Sequence, residues 1–206
     1  MAEVTVVGAG VAGLWAALEL ARRGCRVRIL DRGGGPGAHG CSWWAGGMLA
    51  PWCEGVTAEP AVARLGAGAA AAWESVTAVA HRGTLVLALP RDRDELARFA
   101  RRAERHRPVA PVDLEPELGQ HGAGLFFREE AHLEPRRALT DLVAALAARG
   151  ITVERAEAEP ATLPGTVIDA RGLAAALPGL RPVRGEMAVL HAPEIRISRP
   201  VRLLHP

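Results

Sequence analysis

The sequence predicts an α/β protein, and two stretches of periodic apolar residues support this fold class. In the first, buried strands are predicted at residues 3–7 and 26–30, and a helix is predicted between them at residues 11–23. In the second, residues 135–149 form the clearest helix of the chain, and another apolar strand is predicted at 166–170. Strands that alternate with helices are typical of a parallel sheet.

A glycine-rich motif lies between the first strand and the first helix. Its sequence, GAGVAG over residues 8–13, matches the G-x-G-x-x-G pattern of dinucleotide-binding turns. In that pattern Gly8 allows a tight turn, Gly10 lets the backbone approach a pyrophosphate, and Gly13 lets the helix pack closely on the strand. Asp31 ends the second strand, where its carboxylate can accept hydrogen bonds from ribose hydroxyls. The motif therefore predicts a Rossmann-like site for a dinucleotide, and it does not by itself separate NAD from FAD.

Composition and charge exclude several classes of protein. A chain of 206 residues, 49% hydrophobic and 23% charged, has the composition of a globular protein with one large or two small domains. All 25 basic residues are arginine, but they alternate with acids and the net charge is only +2, so we predict no nucleic-acid partner. The sequence shows no signal peptide and no long apolar run, which predicts a cytoplasmic protein with no membrane partner. Cys25, Cys41 and Cys53 lack paired spacing, so we expect neither disulfides nor a metal site.

The remaining stretches are predicted to hold short elements and one long loop. The loop covers residues 33–60, where glycines and prolines break any period, and loops of that length tend to be functional. Helices are predicted at 60–79 and 92–107, strands at 84–89, 124–128 and 151–153, and a β-hairpin at 184–191 and 194–204.

Several blocks of the sequence, taken together, resemble the FAD-dependent D-amino-acid oxidase family. One is the glycine motif, and another is GCSWWAGGMLAP over residues 40–51, which resembles a flavin-contacting loop and is most similar to that of the glycine oxidases of thiamine biosynthesis. HLEPRRAL over 132–139 and RPVRGEM over 181–187 follow in the family's order. VIDARG over 167–172 also matches, although Arg171 stands where the family usually has threonine. The resemblance covers nearly the whole chain.

The resemblance also implies a division into domains. It implies a Rossmann-like FAD-binding domain assembled from residues 1–80 and 130–178, and an antiparallel-sheet substrate domain from residues 81–129 and 179–206. Family members continue well beyond the position of Pro206, so the substrate domain is expected to be incomplete. The arginine and tyrosine residues that hold the substrate carboxylate are expected to lie in the missing part, and this sequence has no tyrosine. No catalytic residue is therefore assigned.

A set of cofactor-contacting residues follows from the glycine motif and the resemblance together. Most of its members are small, because small residues let backbone amides reach the pyrophosphate and the isoalloxazine ring. The set is Gly8, Gly10, Val11, Ala12, Gly13, Asp31, Arg32, Cys41, Ser42, Gly46, Gly47, Met48 and Gly172. We expect ordinary packing roles for Trp43, Trp44 and Trp52.

The resemblance implies an FAD-dependent oxidase of glycine or another small amine. In that reaction the α-carbon gives a hydride to the flavin and the amine becomes an imine, while molecular oxygen reoxidises the flavin and forms hydrogen peroxide. Two alternatives stay open. One is a flavin-binding subunit or truncated chain that is inactive without a complementing C-terminal half. The other is a nicotinamide-dependent dehydrogenase, which the block at 40–51 disfavours. Both a homo-oligomer and a complementing chain are compatible with the sequence.

Overall fold

Strands and helices alternate along the chain, and a computed structural model describes them over residues 2–205. The strands are β1 (Glu3–Val7), β2 (Arg26–Asp31), β3 (Met48–Leu49), β4 (Thr84–Ala88), β5 (Arg107–Val109), β6 (Gly124–Phe127), β7 (Ala131–His132), β8 (Val153–Arg155), β9 (Thr166–Asp169) and β10 (Val201–Leu204). The α-helices are α1 (Val11–Arg22), α2 (Pro51–Glu54), α3 (Pro60–Gly66), α4 (Ala69–Glu74), α5 (Arg93–Arg102) and α6 (Pro135–Ala147). By its contacts the chain divides into unit 1, residues 2–46 and 134–188, and unit 2, residues 47–133 and 189–205.

Unit 1 is built on a four-stranded parallel sheet in the order β8-β2-β1-β9. Val6 of the central strand β1 lies opposite Ile29 on one side and Ile168 on the other. Helix α1 packs against β2 and α6, and its Leu14 and Leu18 are fully buried. The carboxyl ends of parallel strands meet at one edge of a sheet, so the turns after β1, β2 and β9 lie together. The predicted strand, helix and strand at the start of the chain are confirmed.

Helix α6 has the ends that its sequence predicts. Its N-cap is Glu134, whose carboxylate accepts hydrogen bonds from the backbone N–H groups of Arg136 and Arg137 at 3.2 and 2.6 Å. Gly150 follows the helix with φ +74°, a conformation that favours glycine. The next strand starts at Val153 and not at Ile151 as predicted, because the N–H of Ile151 donates to the Leu146 carbonyl at the helix end.

Unit 2 contains a mixed sheet in the order β10-β4-β6-β5 and a small antiparallel pair, β3 with β7. Strands β4, β6 and β5 pair antiparallel, as predicted for this region, whereas β10 pairs parallel to β4. One apolar cluster joins the sheet to α5 and α2 through buried residues such as Phe127, Phe99 and Cys53. A second cluster contains Leu85, Leu87 and Leu118.

The predicted hairpin at 184–191 and 194–204 is wrong, since only β10 forms within it. Backbone N–H groups before β10 bond to side chains instead of to a second strand. Arg196 N donates to Glu117 at 2.7 Å, and Ser198 N donates to Glu115 at 3.2 Å. Prolines 193 and 200 have no N–H to give to a ladder.

Two predicted helices are shorter than expected. Residues 60–79 form α3 and α4, which are separated around Gly66 and Gly68. The helix predicted at 92–107 ends at Arg102, and residues 107–109 form β5. Arg107 precedes Pro108, and a residue before proline is disfavoured in the helical region. The predicted loop at 33–60 contains a 3-10 helix at Cys41–Trp44, β3 and α2.

The contact boundaries differ from the predicted domain boundaries, because residues 47–80 and 130–133 lie in unit 2 and residues 179–188 lie in unit 1. Compactness does not say which residues hold a cofactor, so the assignment of domains to cofactor and substrate stays a prediction. Among residues 2–205, no helix combines the length and the apolar character needed to cross a membrane.

Candidate functional site

The first and third glycines of the motif are required by the fold of unit 1. Gly8 has φ +109°, and a Cβ atom there would lie 2.5 Å from the backbone oxygen of Ala170. A Cβ atom on Gly13 would lie 1.9 Å from the oxygen of Gly8. The turn therefore packs against the end of β9 and against the first turn of α1, with no space for a side chain at either glycine.

Gly10 has no such constraint. It is the N-cap of α1 with φ −74°, which any residue can adopt, and a Cβ atom there would meet only Ser42 Oγ, at 3.3 Å. The N–H groups of Ala12 and Gly13, in the first turn, make no hydrogen bond within residues 2–205. Free amides at a helix N-terminus attract anions, and at Gly10 no side chain stands beside this N-terminus.

Asp31 lies beside this turn, at the end of β2. Its Oδ2 accepts a hydrogen bond from the N–H of Ala9 at 2.9 Å, and its Oδ1 accepts one from Gly33 at 2.8 Å. Its side chain is 13% exposed, and Nε2 of His39 lies 3.7 Å from Oδ1. Asp31 thus orders the glycine turn and the loop that follows β2, while its remaining lone pairs are available to a ligand. Its neighbour Arg32 is exposed and makes no ion pair in the described chain.

The 3-10 helix Cys41–Trp44 brings a second segment to the glycine turn. Ser42 Oγ accepts a hydrogen bond from the N–H of Val11 at 3.1 Å. On the other side of the segment, the Arg136 guanidinium lies 5.4 Å from the ring centre of Trp43 and 4.9 Å from that of Trp44. The two tryptophans therefore contact Arg136 of α6, and their ordinary packing role stays a prediction. Cys41 is an exposed free thiol.

Gly46 is the last residue of unit 1 before the boundary, and Gly47 and Met48 begin unit 2. A Cβ atom on Gly46 would contact only Met187, at 3.9 Å. Gly47 has φ +70°, and its carbonyl accepts a hydrogen bond from Leu133 N at 2.9 Å. Met48 is 38% exposed and pairs with His132 across β3 and β7.

Glu130 anchors the segment that follows Met48. Its side chain is fully buried, and Oε1 accepts hydrogen bonds from the N–H groups of Trp52 at 3.0 Å and Cys53 at 2.7 Å. Burial raises the pKa of this carboxyl, and it raises the pKa of the Cys53 thiol to about 11. Cys53 is therefore a packing residue and not a nucleophile.

Gly172 follows β9 with φ +62°, and a Cβ atom there would meet nothing within 4 Å. The preceding Arg171 donates to Asp169 at 2.9 Å and to Glu159 at 3.0 Å, and its guanidinium lowers the pKa of Asp169. The arginine that replaces the family's threonine is thus held by two acids of unit 1 and leaves the space beside Gly172 open.

The structure brings together the predicted residues of unit 1 that follow β1 and β2 and those of the 3-10 helix. The contacts join Gly10 and Val11 to Ser42, and Asp31 to the turn. Sequence reasoning missed His39, Arg136 and Glu130. His39 is the one titratable residue in the glycine-rich stretch 33–40, which is a usable signal, whereas the partners of Arg136 and Glu130 are far away in sequence. Across residues 2–205, no group of three or more His, Cys, Asp or Glu side chains is placed to hold a metal ion.

Comparison with known proteins agrees with this geometry. The chain is 49% identical over 213 residues to a Rhizobium etli protein that carries the name thiamine biosynthesis oxidoreductase ThiO, and it spans 99% of its own length and 65% of that relative. Among solved structures it is similar in fold to glycine oxidase from Geobacillus kaustophilus, with TM-score 0.62, 23% identity, and coverage of 75% of this chain and 47% of that one. It is also similar to L-proline dehydrogenase from P. horikoshii, with TM-score 0.67, 16% identity, and coverage of 87% and 55%.

A family model decides between the two dinucleotides that the glycine motif allows. The model of the DAO family, described as FAD dependent oxidoreductase, matches residues 3–206. The cofactor of the family is FAD, so the nicotinamide alternative is excluded, and the predicted Rossmann-like fold is confirmed by the solved relatives. The chain belongs to the DAO family of FAD-dependent oxidoreductases.

Proposed function

We propose that this chain supplies the cofactor-binding turn and part of the substrate domain of an FAD-dependent oxidase that acts on glycine or another small amine. The observation that carries the proposal is the contrast within the glycine motif. The fold requires Gly8 and Gly13, but it does not require Gly10, whose missing side chain leaves a path to two free amides. That arrangement fits a pyrophosphate group.

The residues of unit 1 divide the binding of FAD between them. The N–H groups of Ala12 and Gly13 and the positive end of α1 would hold the pyrophosphate. Ser42 Oγ accepts a hydrogen bond from the N–H of Val11. With FAD bound, the Ser42 hydroxyl would donate to a phosphate oxygen, or the N–H of Val11 would donate to the phosphate in place of Ser42. Asp31 would accept hydrogen bonds from the ribose, beside Arg32 and His39.

We propose further contacts from the other members of the predicted set. Gly46, Gly47 and Met48 would bring backbone and a thioether to the ring system, Cys41 would add a thiol, and Gly172 would present an uncovered backbone. When bound, FAD supplies the redox chemistry, accepting a hydride from the α-carbon of the amine and passing electrons to oxygen. The chain's own residues bind and orient, and the proposal assigns none of them a catalytic role.

The name of the Rhizobium etli relative supports a role in thiamine biosynthesis, and glycine as substrate follows from the resemblance of residues 40–51. A cytoplasmic location, a small amine as substrate and oxygen as electron acceptor belong to this proposal. The chain spans 65% of that relative. The second candidate function is a flavin-binding chain that is inactive without a complementing C-terminal half.

One experiment tests both candidates. The purified 206-residue chain is supplied with FAD, its visible absorption is recorded after removal of free FAD, and peroxide is measured after glycine is added. A retained flavin band with peroxide release supports the oxidase in this chain. A retained band without peroxide supports the complementing-chain alternative, because positioning of the α-carbon contributes several kcal/mol to such a step and needs the missing part. Absence of the band contradicts both.

A further inference from the structure

Three arginines, none of them in the set proposed to bind FAD, lie at one end of the mixed sheet of unit 2. Strand β10 runs parallel to β4, and β6 runs antiparallel to β4, so the starts of β4 and β10 and the end of β6 share one edge. Arg82 and Arg199 stand two residues before β4 and β10, and Arg128 directly follows β6. With His81 and Phe126 they line an open cavity of about 520 Å³.

The positive charge of this cavity is only partly compensated. Arg199 pairs with the buried Glu115, with Nε 2.6 Å from Oε1, and also donates to the Arg82 carbonyl at 2.6 Å. Arg82 and Arg128 pair with no carboxylate within residues 2–205. The acids nearest to them in sequence have other partners, since Glu129 pairs with Arg105, and Glu74 pairs with His81 of the cavity lining.

The structure fixes one of the three guanidinium groups, that of Arg199, and all three arginines line the same cavity. The bond from Arg199 to the Arg82 carbonyl and the ion pair with Glu115 fix the Arg199 guanidinium beside Phe126, 5.4 Å from the ring centre. The pKa of His132 is lowered first by burial and then by the positive charges of Arg82 and Arg199. Like charges held at one place repel each other, and a bound anion removes that repulsion.

We propose that this cavity binds a phosphate group, either free or as a small phosphate ester. Two unpaired guanidinium groups match a dianion, and phosphate carries about −1.5 to −2 charges near pH 7, whereas a carboxylate would neutralise only one of them. Guanidinium groups also fit phosphate oxygens in a two-point geometry. The proposal is independent of the oxidase activity and concerns a part of the chain that the flavin site does not use.

The test is a calorimetric titration of the full 206-residue chain with inorganic phosphate at constant ionic strength, run with and without saturating FAD. Arg82→Gln and Arg128→Gln are each expected to weaken phosphate binding about tenfold, as expected for the loss of one charged hydrogen bond. Arg64→Gln is the matched control, since Arg64 is exposed in α3 and outside the cavity. Circular dichroism confirms that each variant is folded.

Several results would overturn the proposal. Equal phosphate affinity in the parent, Arg82→Gln and Arg128→Gln chains would do so, as would an equal loss in Arg64→Gln, which would indicate a general effect of net charge. Binding that disappears with FAD would place the ion at the glycine turn, and acetate binding as tight as phosphate would rule out a dianion site. A second titration with glycerol phosphate distinguishes a phosphate ester from free phosphate as the ligand. Tighter binding than inorganic phosphate supports an ester as ligand, and equal or weaker binding supports the free ion.

Discussion

The glycine turn of unit 1 and the segment after Met48 in unit 2 are held in opposite ways. The turn is limited by space, because Gly8 and Gly13 contact backbone atoms where no side chain fits. The segment is held by hydrogen bonds, because the N–H groups of Trp52 and Cys53 donate to the fully buried Glu130. Added side-chain atoms should therefore destabilise the turn, whereas removal of the Glu130 carboxylate should destabilise the segment.

The largest effect is expected from Gly13→Ala. The new methyl group would lie 1.9 Å from the Gly8 oxygen, a backbone atom that cannot move without displacing β1 from α1. We expect a loss of about 3 kcal/mol or more in the free energy of unfolding, measured by urea titration. Gly40→Ala is the control, since its Cβ would lie at an ordinary 3.6 Å from the nearest atom. If both variants are equally stable, the claim that no side chain fits at Gly13 is wrong.

A somewhat smaller loss is expected from Glu130→Ala. Its removal leaves two amides without an acceptor, which we expect to cost about 2–4 kcal/mol in unfolding free energy. Glu130→Gln keeps an oxygen acceptor and should retain most of the stability. Glu129→Ala, which breaks only the exposed pair with Arg105, should change the stability by less than about 1 kcal/mol. A Glu130→Ala chain as stable as Glu129→Ala would contradict the anchoring role.

Asp31→Asn is expected to act on binding more than on folding. The amide oxygen can replace one of the two acceptor contacts with Ala9 and Gly33, so the turn should persist. Loss of the charge should weaken FAD binding about tenfold or more, as for a charged hydrogen bond. Fluorescence titration measures this, with Glu154→Gln, at an exposed pair with Arg28, as control. An unchanged dissociation constant would remove Asp31 from the cofactor site.

The smallest expected effect is a pH dependence of stability that has opposite signs for Glu130 and for Glu115, which is also buried. Burial raises the pKa of Glu130, so its stabilising contribution is present below the ordinary glutamate pKa and is lost as pH rises through the raised value. Burial also opposes ionisation of Glu115, but hydrogen bonds from Ser198 and Arg199 outweigh it and lower the pKa. The contribution of Glu115 is therefore present above the ordinary pKa and is lost as pH falls through the lowered value.

Urea titrations across a pH series check these opposite signs. The Glu130→Gln chain should lose less stability than the parent as the pH rises, and the Glu115→Gln chain should lose less as the pH falls. Parallel curves for the parent and Glu130→Gln would mean that Glu130 ionises as freely in the folded chain as in the unfolded one.

The same contrast explains how much the sequence predicts. The glycine turn is local, so spacing and the adjacent strand and helix were sufficient to predict the turn of Gly8, Gly10 and Gly13 between β1 and α1, and the position of Asp31 at the end of β2. Glu130 accepts a hydrogen bond from Cys53, 77 residues away in sequence, and β10 pairs with β4 across more than 100 residues of chain. Neither of these long-range contacts produces a periodic pattern of apolar residues in the segments that form it. The apolar run before β10 therefore predicted a local hairpin, whereas the side chains of Glu115 and Glu117 capture its backbone.

The most direct test of the central claim is the FAD dissociation constant of the Gly10→Val chain beside that of the parent. Gly10 is the glycine of the motif that the fold does not need, because valine can adopt its φ of −74° and a Cβ atom there would meet only Ser42 Oγ. We predict an unfolding midpoint close to that of the parent together with loss of stoichiometric FAD binding. A Gly10→Val chain that binds FAD as tightly as the parent would contradict the account, because the pyrophosphate would then not approach through this opening.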